Sequence, residues 1–465
     1  MAKFGSVLLL GVVLLGLSRP GLSLTALKQV VAANNDFAMD LYGQIRSNSA
    51  GENIFFSSFS VSSALAMVYA GAKGNTKTEM GYVLKFGHVR DRRINRGFRR
   101  LFKAFNDPTN KYTLNVANAF FGREGYPFLQ RYLNVVSRSY FALLKNVDFR
   151  ENLGSTCKFI NEWVADNTNQ KIKKVLCPQD INADTVAVLV NSIYFKGMWK
   201  IQFDVQNTIS RTFHLTTTKS MTTNMMNLSG KKFNHAEVSS LNCTIVELPY
   251  VGDEVSMYIL LPDSINGLAA LESQLTSAEL DNAISLMKLK KVDVAIPKFS
   301  MTLTVELKDM LKELGMTDVF GKADLSGMDG TRTMFVSTVV HKAYIDVNEE
   351  GTEAAAATAV GTGRSFFQRR TLFKADHPFL FFIREKVTGI ILFSGRVVTP
   401  PQADSNSSST PTGSQQTPPC CLVLPDRVCD LFQRYFGDNW CHGSKYEKAM
   451  QYKRGKYVRA RNQTV

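Results

Sequence analysis

The sequence predicts an α+β fold with a large share of antiparallel sheet. Helix and strand patterns are mixed along residues 24–400, without the strict strand–helix alternation of a doubly wound parallel sheet. Helical periodicity is clear from Ala26 to Ile45, where apolar side chains recur at spacings typical of a helix. Apolar and β-branched runs predict strands at Thr244–Leu248, Ser256–Leu261, Val292–Ile296, Phe335–Val347, Phe379–Arg384 and Ile390–Val398. We expect the last two to pair with each other.

Composition sets broad limits on what the protein is. The chain has 465 residues, of which 45% are hydrophobic, so it can bury a sizeable core and is not disordered throughout. The net charge of +15 favours acidic partners such as sulfated glycans, nucleic acid or anionic lipid. Seven cysteines are too few for a fold of this size to be built on disulfides.

The N-terminus has the features of a secretory signal peptide. Lys3 precedes an apolar run from Val7 to Leu17, and small residues follow near Ser23. The run is too short to span a membrane, which takes about 20 residues. We therefore expect residues 1–23 to be removed and the mature protein to be secreted and extracellular, with glycosylation sequons at Asn227, Asn242, Asn406 and Asn462.

Composition changes sharply after Pro400. Residues 401–419 are mostly Ser, Thr, Pro and Gln, which predicts a linker between the body at 24–400 and a C-terminal extension at 420–465. The extension is basic, and it contains Cys420, Cys421, Cys429 and Cys441. In a secreted chain this cluster predicts a small disulfide-bonded module, because the spacings do not match a zinc site.

The sequence contains no convincing catalytic or cofactor signature. There is no HExxH or GxSxG motif, and Gly71–Thr78 lacks the spacing of a phosphate-binding loop. No nucleophile is paired with a base in a recognisable pattern. We therefore expect neither enzymatic activity nor a cofactor or metal.

An unusual segment covers residues 349–374. Alanine is dense at 354–359, but Thr358, Val360 and two glycines interrupt it, so a stable isolated helix is not expected. Small side chains directly after a predicted strand allow another structure. The segment can extend that strand and enter a sheet, because nothing bulky obstructs it.

Six motifs in a fixed order carry a resemblance to one family. They are Asn53–Ser60, Ala64–Met67, Gly71–Thr76, Asn191–Trp199, His341–Ala343 and His377–Phe381. Together they strongly resemble the serpins, over essentially all of residues 26–400. The resemblance implies three β-sheets, about nine helices and an exposed reactive-centre loop.

The family mechanism, inferred by resemblance, gives the segment at 349–374 a role. A serpin offers its loop to a protease, which forms an acyl-enzyme, and the cut loop then inserts as a new strand in the main sheet. The hinge that must enter the sheet corresponds to Glu349, Gly351, Thr352, Ala354, Ala355, Ala356 and Ala357. These small residues favour an inhibitor over a non-inhibitory serpin, such as a carrier or chaperone, which remains the alternative.

Two supporting clusters also follow from the resemblance. Ser57, Ser60, Asn191 and His341 correspond to the polar cluster where the sheet opens, called the shutter here. Trp199, Lys298 and Glu349 correspond to the upper gate, called the breach, where family members commonly pair the lysine with the glutamate.

Loop spacing indicates the bond that the protease cuts. By resemblance, the commonest family spacing, counted from Glu349, ends at Ser365, and a shorter spacing also found among inhibitors ends at Arg364. Counting back from Pro378 favours Arg364–Ser365, which is similar to antithrombin-like loops. Arginine fits the acidic pocket of trypsin-like proteases. Cleavage at Phe366 or Phe367 would suit chymotrypsin-like enzymes, and cleavage at Arg369–Arg370 would suit furin-type enzymes.

A second site is predicted on a basic amphipathic helix near residues 90–105. Arg92, Arg96, Arg99 and Lys103 share one face, widened by Arg93 and Arg100, while Ile94, Phe98, Leu101 and Phe105 share the other. By resemblance this is the helix that binds heparin in glycosaminoglycan-activated serpins, and the alternative is a merely solvated basic face. The expected partners are thus an extracellular serine protease and a sulfated glycan, not nucleic acid, and the chain is expected to be a monomer.

Overall fold

The structure is a computed structural model that describes residues 20–176, 180–337, 339–352, 371–401 and 422–425. The α-helices within these ranges are α1 Pro20–Asn48, α2 Ser58–Tyr69, α3 Gly74–Val83, α4 Asp91–Phe105, α5 Gln130–Tyr140, α6 Leu153–Asn167, α7 Leu268–Gln274, α8 Ser277–Leu286, α9 Lys308–Glu313 and α10 Ser326–Asp329. The strands are β1 Ile54–Phe56, β2 Thr113–Arg123, β3 Leu143–Val147, β4 Thr185–Met198, β5 Ile209–His214, β6 Ser220–Val238, β7 Cys243–Pro249, β8 Val255–Pro262, β9 Lys288–Pro297, β10 Phe299–Glu306, β11 Val340–Val347, β12 Gly351–Thr352, β13 Thr371–Lys374, β14 Phe379–Glu385, β15 Ile391–Val397 and β16 Leu422–Pro425. The predicted α+β architecture is confirmed.

The seven-stranded sheet has the order β10-β11-β12-β4-β2-β3, with β16 paired to β4 outside this path. Both faces of its centre are covered. Along β4, Leu189 belongs to the main core, whereas its neighbours Val188 and Val190 belong to a second core that packs under α6. A strand stretch buried on both faces is apolar at successive positions, which explains the apolar run Val186–Val190 of β4.

The nine-stranded sheet has the order β1-β15-β14-β8-β7-β6-β9-β13, with β5 paired to β6. The described strands therefore form two connected sheets, where the resemblance implies three. The reason is the length of β6, which has 19 residues. Its C-terminal end pairs with β7 and its preceding part with β9, so one strand joins what would otherwise be two sheets.

Most predicted elements are observed near their predicted bounds. Helix α1 contains the periodic segment 26–45, and Val30, Phe37 and Leu41 are fully buried along its inner face. Strands β14 and β15 pair antiparallel, as predicted.

The predicted strand Phe335–Val347 is wrong in its first part. The ladder begins only at Val340. The backbone before it turns toward other segments, because the Val336 N–H donates to the Val319 carbonyl (2.8 Å) and the Val339 carbonyl accepts from the Leu307 N–H (2.7 Å). These hydrogen bonds replace strand pairing at residues 335–337 and 339.

Candidate functional site

The predicted reactive loop connects the two sheets. On one side, β12 lies between β11 and β4: Thr352 is opposite Val347 of β11 and Gly197 of β4. On the other side, β13 adds to the sheet edge, parallel to β9. The residues between them lie outside the described part of the chain. They include the hinge alanines Ala354, Ala355, Ala356 and Ala357, the predicted scissile pair Arg364 and Ser365, and the alternatives Phe366, Phe367, Arg369 and Arg370.

Gly351 is the point of closest approach between the hinge and β4. A Cβ atom at this position would lie 2.1 Å from the Gly197 carbonyl oxygen and 2.6 Å from the Met198 Cα. Both contacts are with backbone, which cannot move aside without breaking the ladder. Only glycine therefore lets the hinge pair with β4 at this level.

Thr352 is already inside the sheet, with 2% of its surface exposed. Its hydroxyl lies 2.9 Å from the Tyr250 hydroxyl. The Tyr250 ring stacks on Trp199 with 4.6 Å between the ring centroids. The Trp199 indole N–H in turn donates to the Asn348 carbonyl (2.9 Å), so the breach tryptophan holds both the chain before the hinge and the ring beneath it.

The other breach residues form an ion pair. Lys298 Nζ lies 2.8 Å from Glu349 Oε2, and the Thr208 hydroxyl donates to Glu349 Oε1 (2.8 Å). Burial by itself would raise the pKa of the Glu349 carboxyl, but the hydrogen bonds from Lys298 and Thr208 outweigh burial and hold the pKa below its usual value. The carboxylate thus stays ionised and anchors the residue where the chain turns into β12.

The shutter residues Ser57 and His341 are in direct contact. The Ser57 N–H donates to His341 Nε2 (2.9 Å), and the Ser57 hydroxyl donates to the Leu392 carbonyl (2.6 Å). Burial lowers the pKa of His341 to about 4. The ring is therefore neutral at pH 7, as an accepting Nε2 requires, and it ties β11 to the start of α2.

Asn191 of β4 completes the shutter from the other side. It hydrogen-bonds the Ser60 hydroxyl and donates to Ser63 (3.2 Å) and Asn118 (2.5 Å). The Ser60 N–H donates to the Ser57 hydroxyl (3.1 Å), which links the Asn191 half of the cluster to the His341 half. The structure thus brings the four predicted shutter residues into one network.

Several members of these networks were not predicted from the sequence. Asn118 belongs to the shutter and donates to the Tyr140 carbonyl (2.9 Å), while Thr208 and Tyr250 belong to the breach. Asn118 carries a usable signal, because a polar residue within an apolar strand needs a buried partner. Thr208 and Tyr250 carry no such signal, since long-range chain topology alone places them beside the hinge.

Helix α4 presents the predicted basic face. The side chains of Arg92, Arg96, Arg99, Arg100 and Lys103 are exposed and that of Arg93 is half-buried, with Ile94, Phe98, Leu101 and Phe105 buried on the opposite face. Gly97 allows α1 to pack closely, because a Cβ there would lie 2.5 Å from Val30 Cγ2. The helix is therefore anchored by its apolar face and turns its cations to solvent.

The two described sequons differ in environment. Asn242 is exposed in a turn with φ of 45°, whereas Asn227 is half-buried in β6 and donates to the carbonyls of Asn207 and Met225 (both 2.8 Å). Asn406 and Asn462 lie outside the described residues, as do Cys420, Cys421, Cys429 and Cys441. In the described ranges, the side chains of Cys157 and Cys243 are buried.

Within the described ranges, no group of His, Cys, Asp or Glu is suited to bind a metal ion. No helix within those ranges is both long and apolar enough to cross a membrane.

Comparison with known proteins identifies the family. The family model "Serpin (serine protease inhibitor)" matches residues 32–400. Serpin B11 of Homo sapiens is 40% identical, with 79% of this chain and 98% of that protein covered. The leukocyte elastase inhibitor of Bos taurus is 42% identical, with 80% and 100% covered.

Solved structures give the same assignment. Cleaved Serpin 42Da matches with a TM-score of 0.74 at 30% identity, covering 81% of this chain and 100% of that chain. Uncleaved ovalbumin matches with a TM-score of 0.71 at 32% identity, covering 80% and 100%. The chain therefore belongs to the serpin (serine protease inhibitor) family.

Proposed function

We propose that this serpin inhibits serine proteases by trapping them as a suicide substrate, and that it is not itself an enzyme. The observation that carries the proposal is β12: the hinge residues Gly351 and Thr352 already form a strand between β11 and β4. A loop that starts inside the sheet can lengthen this strand without first opening the breach. The alanines that follow in the sequence would enter at little steric cost.

The chemistry of trapping belongs to the protease. Its serine oxygen attacks the Arg364 carbonyl carbon, the Arg364–Ser365 peptide bond breaks, and the Ser365 amine leaves with the proton. The ester that remains links protease and loop. Insertion of the cut loop releases strain stored in the native fold and must outrun hydrolysis of that ester.

Arg364 supports trypsin-like targets, because an arginine fits a pocket with a buried carboxylate. The names of several relatives state a different target, leukocyte elastase. The experiment below therefore also tests two other cleavage sites. These are Phe366 or Phe367 for chymotrypsin-like enzymes, and Arg370 for furin-type enzymes.

Secretion and glycan binding are further parts of the proposal. The N-terminal apolar run and the sequon at Asn242, exposed in a turn, support an extracellular glycoprotein. The exposed cations of α4 support binding of heparin or another sulfated glycan. N-terminal sequencing of protein secreted by expressing cells would detect the expected cleavage near Ser23.

The decisive experiment incubates the full chain with trypsin-like, chymotrypsin-like, elastase-like and furin-type proteases and looks for covalent complexes that survive detergent. We expect complexes with trypsin-like enzymes, lost in Arg364→Ala and retained in the matched control Arg370→Ala. Mass spectrometry of the released C-terminal fragment identifies the cut bond. Cleavage without any complex, both in the full chain and in a chain ending at Pro401, would contradict the inhibitory function.

A carrier function is the second candidate. Human thyroxine-binding globulin complexed with thyroxine is a similar solved structure, with a TM-score of 0.73 at 30% identity. The partly inserted hinge favours inhibition over carriage, and the detergent-stable complex separates the two functions.

A further inference from the structure

The C-terminal extension contributes a strand to the main sheet. Residues Leu422–Pro425 form β16, which pairs antiparallel with β4: Leu422 is opposite Leu189, Val423 opposite Val188, Leu424 opposite Ala187 and Pro425 opposite Thr185. These four residues lie beyond the family match, which ends at residue 400. The extension thus supplies part of the sheet into which the loop of a serpin inserts.

The edge that β16 uses is the one that the loop needs. The opposite edge of β4 is taken by β2, which pairs with the same stretch of Ala187 to Lys196. β16 must therefore lie on the edge that faces β11, where β12 also pairs. Both β12 and β16 run antiparallel to β4, so an inserted loop and β16 would run in the same direction.

The register shows which loop residues compete. β12 places Gly351 opposite Met198 and Thr352 opposite Gly197. A loop that continued this register would bring residue 360 opposite Leu189 and residue 364 opposite Thr185. This is the span that β16 occupies. Insertion up to Arg364, the proposed cleavage site, therefore cannot be completed while β16 is paired.

The fold explains why this part of β4 accepts a strand. Through β12, Val347 of β11 lies level with Gly197 of β4. Because β11 begins at Val340, it runs alongside β4 only down to about residue 190. Below that level β11 is absent, because residues 335–339 turn toward Val319 and Leu307. The β4 backbone there is buried on both faces, and its N–H and C=O groups need partners.

We propose that residues 422–425 act in cis as a removable strand that occupies the lower part of the loop's insertion site and restrains the inhibitor. The linking residues 402–421 can span roughly 70 Å when extended, so the same chain can supply the strand. With β16 paired, a cut loop stops short and the acyl-enzyme hydrolyses. With β16 released, insertion is complete and the protease is trapped. The consequence for trapping rests on the proposed inhibitory function, whereas the strand pairing does not.

The test compares three forms: the full chain, a chain ending at Pro401, and full-length Leu422→Pro/Val423→Pro. Neighbouring N–H groups in a strand point to opposite sides, so the double substitution removes a donor to β4 whichever residue supplies it. Full-length Gln415→Pro/Gln416→Pro, which leaves the Asn406 sequon intact, is the matched control. The shortened chain retains the family match and the full length of the relatives, so it is expected to fold.

Hydrogen exchange measures the pairing of β16 with β4 directly. We expect the amides of residues 185–189 that face away from β2 to be protected in the full chain and the control, and to exchange faster in the other two forms. Equal protection in every form would overturn the strand assignment. If protection appears only at high protein concentration, where size-exclusion chromatography detects dimers, then β16 pairs with β4 of a second molecule. That result would overturn the cis arrangement.

The stoichiometry of inhibition measures the effect of β16 on protease trapping. We expect the moles of serpin consumed per mole of protease trapped to fall several-fold in the shortened and double-proline forms. An unchanged stoichiometry, with protection lost, would overturn the restraint. If no form makes a covalent complex, the inhibitory function itself has failed, and hydrogen exchange alone decides the pairing.

Discussion

Thr352 is where the hinge passes from the surface into the sheet. Its side chain is buried against the Tyr250 hydroxyl, so Thr352→Arg would place an uncompensated charge in a dry site. We expect this variant to be cleaved as a substrate without forming covalent complexes. Thr352→Ser, which keeps the hydroxyl, should trap almost normally. Undiminished trapping by Thr352→Arg, measured on denaturing gels, would contradict insertion at the hinge.

His341 makes the stability of the shutter depend on pH. Its folded pKa of about 4 lies below the usual histidine pKa of 6.5, so between these pH values the unfolded chain binds a proton that the folded chain excludes. The free energy of unfolding should therefore fall as the pH drops through this window, by up to about 3 kcal/mol from this group.

Denaturant titrations at several pH values measure this effect. His341→Gln retains an acceptor for the Ser57 N–H but cannot titrate, so its stability should depend less steeply on pH. An identical pH slope in the two proteins would show that other groups control it.

At the scale of the element, α4 concentrates positive charge on a rigid face. Exposed arginines bind sulfate through paired hydrogen bonds, and salt screens them within about 10 Å at 0.1 M. We expect the triple change of Arg96, Arg99 and Lys103 to Ala to lower the salt concentration at which the protein elutes from heparin.

The control for α4 must remove equal charge elsewhere. Lys288, Lys290 and Lys291 are exposed on β9, and their replacement by Ala should lower retention less. Deletion of residues 420–465 forms the second comparison. If that deletion alone abolishes retention, the extension is the anion site and α4 is only solvated.

For the whole molecule, the prediction concerns stored free energy. The native sheet lacks most of the strand that the loop would supply, and insertion completes its hydrogen bonding. In a chain ending at Pro401, which lacks β16, nicking the loop should therefore raise the melting temperature sharply. The same shortened chain with Thr352→Arg, whose loop cannot enter, provides the control. A melting temperature that nicking does not change in the shortened chain would favour a carrier over an inhibitor.

The elements with a clear period could be predicted from the sequence, and those defined by distant partners could not. Helix α1 and strands β7, β8, β14 and β15 follow from apolar spacing alone. β16 is four residues long, within a segment that predicts a small disulfide module, and only pairing with β4 makes it a strand. The strand prediction for residues 335–339 failed because contacts with Val319 and Leu307 outweigh local propensity.

The stack of Trp199 on Tyr250 gives the protein an intrinsic optical reporter. The Trp199 indole is 2% exposed, and its N–H donates to the Asn348 carbonyl just before the hinge. Any movement of the hinge therefore changes the polarity around the indole and its hydrogen bonding. The chain has three tryptophans in all. Replacing Trp163 and Trp440 with Phe would leave Trp199, in the breach, as the single tryptophan. Stopped-flow fluorescence could then time the entry of the loop within one turnover, without an attached dye.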